Sequence, residues 1–239
     1  MSKAPKPVFV CQECGSQSAK WLGRCPDCDA WNSFVEERAV EPSAGGGGLA
    51  AGGHRYSMPG GTGGAKKYAD IEHSDTARLT TGIDEFDRVL GGGIVPGSLV
   101  LLGGEPGIGK STLLLQAAAN FARVHGPVLY ASGEASAHQV KSRGERLGVC
   151  DAPLFLLAET CVERILEEIG RVRPRLLVVD SIQTVFSLKF QSAPGSIGQV
   201  REAATQFLFT AKGHDLPTFL VGHVTKDGAL AGPKVLEHV

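Results

Sequence analysis

Four short apolar runs punctuate the second part of the chain, and each closes on small or polar residues. Ser98-Leu99-Val100-Leu101-Leu102, Pro127-Val128-Leu129-Tyr130-Ala131-Ser132, Leu176-Leu177-Val178-Val179 and Pro217-Thr218-Phe219-Leu220-Val221-Gly222 have the length and apolar character of buried strands. Between them lie helical patterns: the run 113–123, and a stripe of Val162, Ile165, Leu166 and Ile169 spaced three and four apart. Strands alternating with helices predict an α/β domain, a mainly parallel sheet with flanking helices. The chain before residue 71 reads differently. Residues 44–64 carry glycine at 45–48, 52, 53, 60, 61, 63 and 64 and almost no large apolar side chain. Such a segment buries too little to offset its ordering entropy, so a flexible tether is expected. The expected division is a small unit over 1–38, a Gly-rich linker over 39–70 and the α/β domain over 71–239.

Composition removes several classes of function. With 24 Lys+Arg against 25 Asp+Glu, bulk charge gives no argument for nucleic acid or an anionic membrane. No apolar run approaches the ~18 residues of a membrane helix, and the first ten residues, with Pro5 and Pro7, lack the apolar stretch of a secretory signal. A cytoplasmic protein is expected.

The front unit carries its own chemistry. Cys11 and Cys14 form one C-x2-C pair and Cys25 and Cys28 a second, ten residues on. Two such turns present four thiolates to one point, the closed tetrahedral shell that a structural Zn²⁺ prefers. Two disulfides are the alternative, disfavoured in a reducing compartment. Trp21, Trp31 and Phe34 are available to cover a metal core too small to fold alone. Its basic residues (Lys3, Lys6, Lys20, Arg24, Arg38) are balanced by Glu13, Asp27, Asp29, Glu36 and Glu37, which favours a partner or regulatory contact over a phosphate-binding surface. Cys150 and Cys161 lack metal-like spacing and read as small core or near-surface residues.

The first strand of the α/β domain leads into Gly104-Glu105-Pro106-Gly107-Ile108-Gly109-Lys110-Ser111-Thr112 and then a helix. That is G-x4-G-K-[ST] in the context that confirms it. Loop N–H groups and the helix N-terminus receive the β-phosphate, Lys110 reaches the β/γ-phosphates, and Ser111 supplies a hydroxyl to Mg²⁺. The third strand closes on Asp180-Ser181, where a carboxylate on the Mg²⁺ side is expected. The second ends at Gly133-Glu134; Glu134 is either a general base for the attacking water or a capping or solvated carboxylate. The fourth leads to His223-Val224-Thr225-Lys226, whose polar groups either sense the γ-phosphate, with Lys226 on phosphate of ATP or nucleic acid, or lie in a solvent-facing loop.

Together these motifs resemble the RecA-like ATPase core. The knuckle, Leu79-Thr80-Thr81-Gly82-Ile83-Asp84-Glu85-Phe86-Asp87-Arg88-Val89-Leu90-Gly91-Gly92-Gly93, Pro194-Gly195-Ser196-Ile197-Gly198-Gln199-Val200-Arg201-Glu202, Val221-Gly222-His223-Val224-Thr225-Lys226 and Ala231-Gly232-Pro233-Lys234-Val235-Leu236-Glu237-His238 narrow the resemblance to the bacterial RadA (Sms) family. That resemblance implies a hexameric, ATP-dependent DNA motor that processes branched recombination intermediates by branch migration beside the RecA recombinase, on single-stranded or branched DNA. It implies Lys110 and Ser111 as nucleotide and Mg²⁺ contacts, Asp180 as metal-side acid, Glu134 as catalytic base, and His223 and Lys226 as γ-phosphate sensors. It also implies a DNA-channel loop over 192–201, with Lys189 and Arg201 as basic members and Lys212 nearby. The sequence departs at Ala135, where the family usually has a second acid, and it stops at Val239, before the family's Lys-Asn-Arg-Phe-Gly motif and Lon-protease-like domain. The chain is therefore expected to be an incomplete ATPase core that hydrolyses ATP poorly alone. A nucleotide-switched interaction module and a KaiC-like regulatory ATPase are the other readings.

Overall fold

In the computed structural model, residues 7–11, 16–27, 29–38, 67–70, 77–149, 151–189 and 193–223 are described. The front unit is a three-stranded antiparallel sheet in the order β2-β1-β3, with β1 Pro7–Cys11, β2 Gln17–Ser18 and β3 Phe34–Arg38. Its core is small: Cys11, Cys25 and Phe34, with Phe9 and Leu22 packed against them. The second unit carries a five-stranded parallel sheet in the order β4-β8-β7-β5-β6. Its strands are β4 Leu99–Gly104, β5 Val128–Ser132, β6 Leu154–Ala158, β7 Leu176–Asp180 and β8 Thr218–His223.

Because side chains alternate across a strand, each buried strand feeds two cores. Val128 and Tyr130 of β5, Leu176 and Val178 of β7, and Phe219 and Val221 of β8 face one layer, where they meet helices α1 (Asp84–Val89), α2 (Lys110–His125) and α3 (Ala137–Arg146). Leu129, Ala131, Leu177, Val179 and Leu220 face the other, against α4 (Val162–Val172) and α5 (Ile197–His214). The result is the three-layer α/β fold expected. The pattern reading names four strands; the fifth, β6, sits at the sheet edge and is only half-buried.

The strand ends matter most for function. Gly104 pairs with His223, Ser132 with Asp180, and Asp180 with Val221. Register thus gathers the loop-bearing ends of β4, β5, β7 and β8 along one edge of the sheet, where parallel α/β proteins bind ligands.

Two expectations from the resemblance change shape. Helix α5 begins at Ile197, so Arg201 lies on a helix and the loop portion of 192–201 ends at Ser196. Lys212 sits in the last turn of α5, eleven residues beyond Arg201, which at ~1.5 Å per residue separates them by about 16 Å along the axis. Lys212 is therefore not beside the loop: the amphipathic helix runs on uninterrupted to reach β8.

Candidate nucleotide site and metal knuckle

The cradle is a backbone structure. Gly107 and Gly109 have φ of 81° and 103°, left-handed values that favour glycine, and Gly109 occupies the N-cap position of α2. No side chain caps α2 there, so its first N–H groups point into the loop. Lys110 is buried, and its Nζ donates to the carbonyls of Gly104 at 2.7 Å and Glu105 at 2.8 Å. The ammonium thus lies across the loop, held by neutral acceptors that a phosphate oxygen would outcompete.

Asp180 is buried at the end of β7, where the hydroxyl of Tyr130 donates to its Oδ2 at 2.6 Å. Burial, and then the Asp180 carboxylate, push the Tyr130 phenol far above its ordinary range, so it stays a donor. Tyr130 therefore holds the carboxylate expected on the Mg²⁺ side. Sequence reading missed it, although a tyrosine within an apolar buried run is itself a signal, since its hydroxyl needs a partner.

Glu134 is fixed by its neighbours. Gly133 N–H donates to the Asp180 carbonyl at 2.8 Å, and Ala135 N–H to Ser132 Oγ at 3.0 Å. Helix α3 starts immediately afterwards with a capping box between Ser136 and Gln139. A Cβ at position 133 would lie 2.1 Å from Thr184 Oγ1, so only glycine lets β5 approach the turn after β7. Held this way, Glu134 Oε1 accepts from Ser181 Oγ and meets His223 Nε2 at 2.8 Å. Burial raises the carboxyl's pKa, but the Ser181 and His223 hydrogen bonds, with the charges of His223 and Lys110, outweigh it and hold the group below the ordinary 4.5. Glu134 is thus a carboxylate at neutral pH, and not a helix cap. His223 Nδ1 is buried without a hydrogen-bond partner among the described residues.

The structure brings Gly104, Lys110, Ser111, Glu134, Asp180 and His223 to one edge. Lys189 and Arg201 are exposed at the two sides of the loop after β7. Lys226, Ser192, Cys14, Cys28 and Cys150 lie outside the described residues. The cradle, the buried Asp180 and the Ser111 hydroxyl suit a Mg²⁺-nucleotide, the ion supplying charge neutralisation on the β- and γ-oxygens when bound.

In the front unit Cys11 and Cys25 are fully buried in one small core, and each stands at a tight turn: Cys11 N–H donates to Ser16 O at 2.8 Å and Cys25 N–H to Ala30 O at 2.9 Å. Two convergent thiols in adjoining turns suit Zn²⁺, with Cys14 and Cys28 as the further donors in sequence.

A family profile described as an AAA domain matches residues 66–229. The chain belongs to the AAA domain family. A rubredoxin metal binding domain profile matches residues 9–36, over the knuckle. The chain is 51% identical to DNA repair protein RadA of Halalkalibacterium halodurans over 98% of its own length and 50% of that protein. It is 49% identical to the Campylobacter jejuni protein of that name and 47% identical to that of Bacillus subtilis, again over 98% of this chain. The resemblance to the RadA family is thus supported over both units. The chain spans about half the length of the curated relatives it matches. No helix among the described residues is long and apolar enough to cross a membrane.

Proposed function

We propose that the α/β unit hydrolyses ATP within a DNA-dependent motor of recombinational repair, one that moves branched intermediates beside a RecA-type recombinase and works as a homo-hexamer. The observation that carries the reading is Glu134, an ionised carboxylate oriented by Ser181 and His223 at the strand end facing the cradle. In this reading the loop N–H groups and α2 receive the β-phosphate, and Lys110 exchanges its two carbonyls for β- and γ-oxygens. Glu134 takes a proton from the water that attacks the γ-phosphorus as the bond to the bridging oxygen breaks and ADP departs with the electron pair. Ser111 and Asp180 hold Mg²⁺, with Tyr130 fixing the carboxylate. His223, already on Glu134, links the γ-phosphate to the base. A structural Zn²⁺ on Cys11, Cys14, Cys25 and Cys28 organises the knuckle.

Turnover by Glu134→Gln, with and without single-stranded DNA, tests the proposal. ATP binding should persist while hydrolysis falls about 10²- to 10⁴-fold. Normal hydrolysis by that variant would remove Glu134 from the mechanism.

A second reading, a nucleotide-switched interaction module, is favoured by the knuckle's surface, where Trp21 and Trp31 are 53% and 70% exposed. Turnover indifferent to DNA would favour the switch over the motor.

A further inference from the structure

Residues 180–189 run from the nucleotide edge to the loop after β7, and hydrogen bonds hold them along the way. Ser181 donates to Glu134, Ile182 N–H to Val221 O at 2.9 Å, Thr184 Oγ1 to Ser181 O at 2.8 Å, and Phe186 N–H to Thr160 O at 2.8 Å. The last fixed point is Ser187, which is buried. Its Oγ donates to Glu163 Oε1 at 2.6 Å and accepts from Gln206 Nε2 at 2.9 Å and Lys189 N–H at 3.1 Å. Its N–H donates to Gln199 Oε1 at 2.8 Å, and its carbonyl accepts from Gln199 Nε2 at 3.3 Å. Glu163 Oε2 takes the next amide, Leu188 N–H, at 3.1 Å.

This cluster is costly where it sits. Gln199 and Gln206 are 1% and 5% exposed on the inner face of α5, among Ile197, Val200, Ala203 and Phe207, where apolar side chains would pack without desolvating an amide. Their amides instead converge on one serine, and Ser196 caps the same helix by accepting from Gln199 N–H at 3.4 Å. The chain leaving at Ser187 and the chain returning at Ser196 are therefore tied to the same point. Burial works against the Glu163 carboxylate, yet the Ser187 and Leu188 donors hold its pKa below the ordinary value, so the cluster is charge-assisted at neutral pH.

We propose that Glu163, Gln199 and Gln206 clamp Ser187 and so act as positioning residues that hold the exposed Lys189 and Arg201, on either side of the loop, for contact with a nucleic-acid phosphate backbone. The inference rests on the DNA-dependent reading above and deepens it. Neither Glu163 nor Ser187 approaches the nucleotide cradle, so the clamp separates DNA engagement from DNA-free turnover.

The test is made on the intact protein with a single-stranded oligonucleotide of stated length, using Ser187→Ala, Glu163→Ala and Glu163→Gln. Ser187→Ala and Glu163→Ala should each raise the half-stimulating DNA concentration about tenfold, the scale of losing a charge-assisted hydrogen bond. Each should also reduce the slope of log affinity against log salt by about 1, with DNA-free turnover unchanged. Glu163→Gln keeps an acceptor for Leu188 N–H and should recover most of the loss, which a general loss of stability would not. Amide exchange at Leu188 and Lys189 should accelerate in Ser187→Ala. A DNA-stimulated wild type with Ser187→Ala unchanged in half-stimulation and salt slope overturns the inference alone. A wild type indifferent to DNA overturns the motor reading and this inference with it.

Discussion

The two units solve the problem of folding by opposite means. The α/β unit buries two clusters of fifteen residues each, one on either face of its sheet, whereas the described core of the knuckle is Cys11, Cys25 and Phe34. At about 1.5–3 kcal/mol for each large apolar side chain buried, the first is held by the hydrophobic effect and the second is not. A unit of the second kind needs a staple, and two of the three residues in its described apolar cluster are cysteines. The difference teaches where each unit should be vulnerable: one to loss of a ligand, the other to changes of shape.

The largest expected effect tests that contrast directly. Replacing Cys25 by Ser should release Zn²⁺ and unfold the knuckle, since structural zinc contributes about 10–16 kcal/mol in small peptides. Metal content and nucleotide affinity should then part company, with binding at the cradle unchanged. Full metal retention, or nucleotide binding lost along with the metal, breaks the comparison. Next in size is Lys110→Ala, which should weaken nucleotide binding and abolish turnover while the knuckle keeps its metal. Titration with a fluorescent nucleotide checks it, and binding at wild-type strength would count against the cradle.

Shape comes third. Gly133→Ala forces a methyl against Thr184 Oγ1, 2.1 Å away before relaxation, and overpacking of this kind costs about 1–3 kcal/mol. A melting temperature as high as wild type would mean that the turn after β7 gives way freely. Tyr130→Phe should cost about 1 kcal/mol and raise the Mg²⁺ concentration needed for turnover, because Asp180 loses a partner. An unaltered Mg²⁺ requirement would confine Tyr130 to packing.

The smallest effect is a pH dependence. The folded pKa of Glu134 lies below 4.5, so the carboxylate's contribution is fully present above that value and is lost as pH falls through the depressed one. The stability difference between wild type and Glu134→Gln should stay level down to about pH 5 and shrink below it. A difference that shrinks near neutrality would reverse the sign of the shift.

Much of this was legible before any coordinates. Gly104 to Thr112 announce themselves because a phosphate cradle is local: the chemistry and the residues that make it are contiguous. Asp180 and Glu134 were visible as acids at strand ends. Their partners were not, because Ser181 on Glu134, His223 on Glu134 and Tyr130 on Asp180 join residues 40 to 90 positions apart, through a strand order in which β8 and β7 lie between β4 and β5. Helical periodicity marked α4 by its apolar stripe, yet the same method passed over Gln199 and Gln206, whose burial depends on a serine from another element. Arg201 was expected in a loop because the resemblance assigns 192–201 to one; Ser196, as an N-cap, starts the helix before it.

Helix α2 begins without a side chain to receive its first amides. In the language of folding rather than catalysis, a bound nucleotide would be the missing capping residue: its phosphate oxygens would complete a secondary-structure element that the polypeptide leaves one group short. Affinity for the ligand and fraying of the first turn of α2 are then two readings of the same free energy, since whatever binds only the folded form stabilises it by RT ln(1 + c/Kd) at free ligand concentration c. A serine at position 109 would not supply that cap, because a side-chain cap needs extended backbone and Gly109 is left-handed at φ 103°. The loop suits a phosphate because it is, by itself, an unfinished helix.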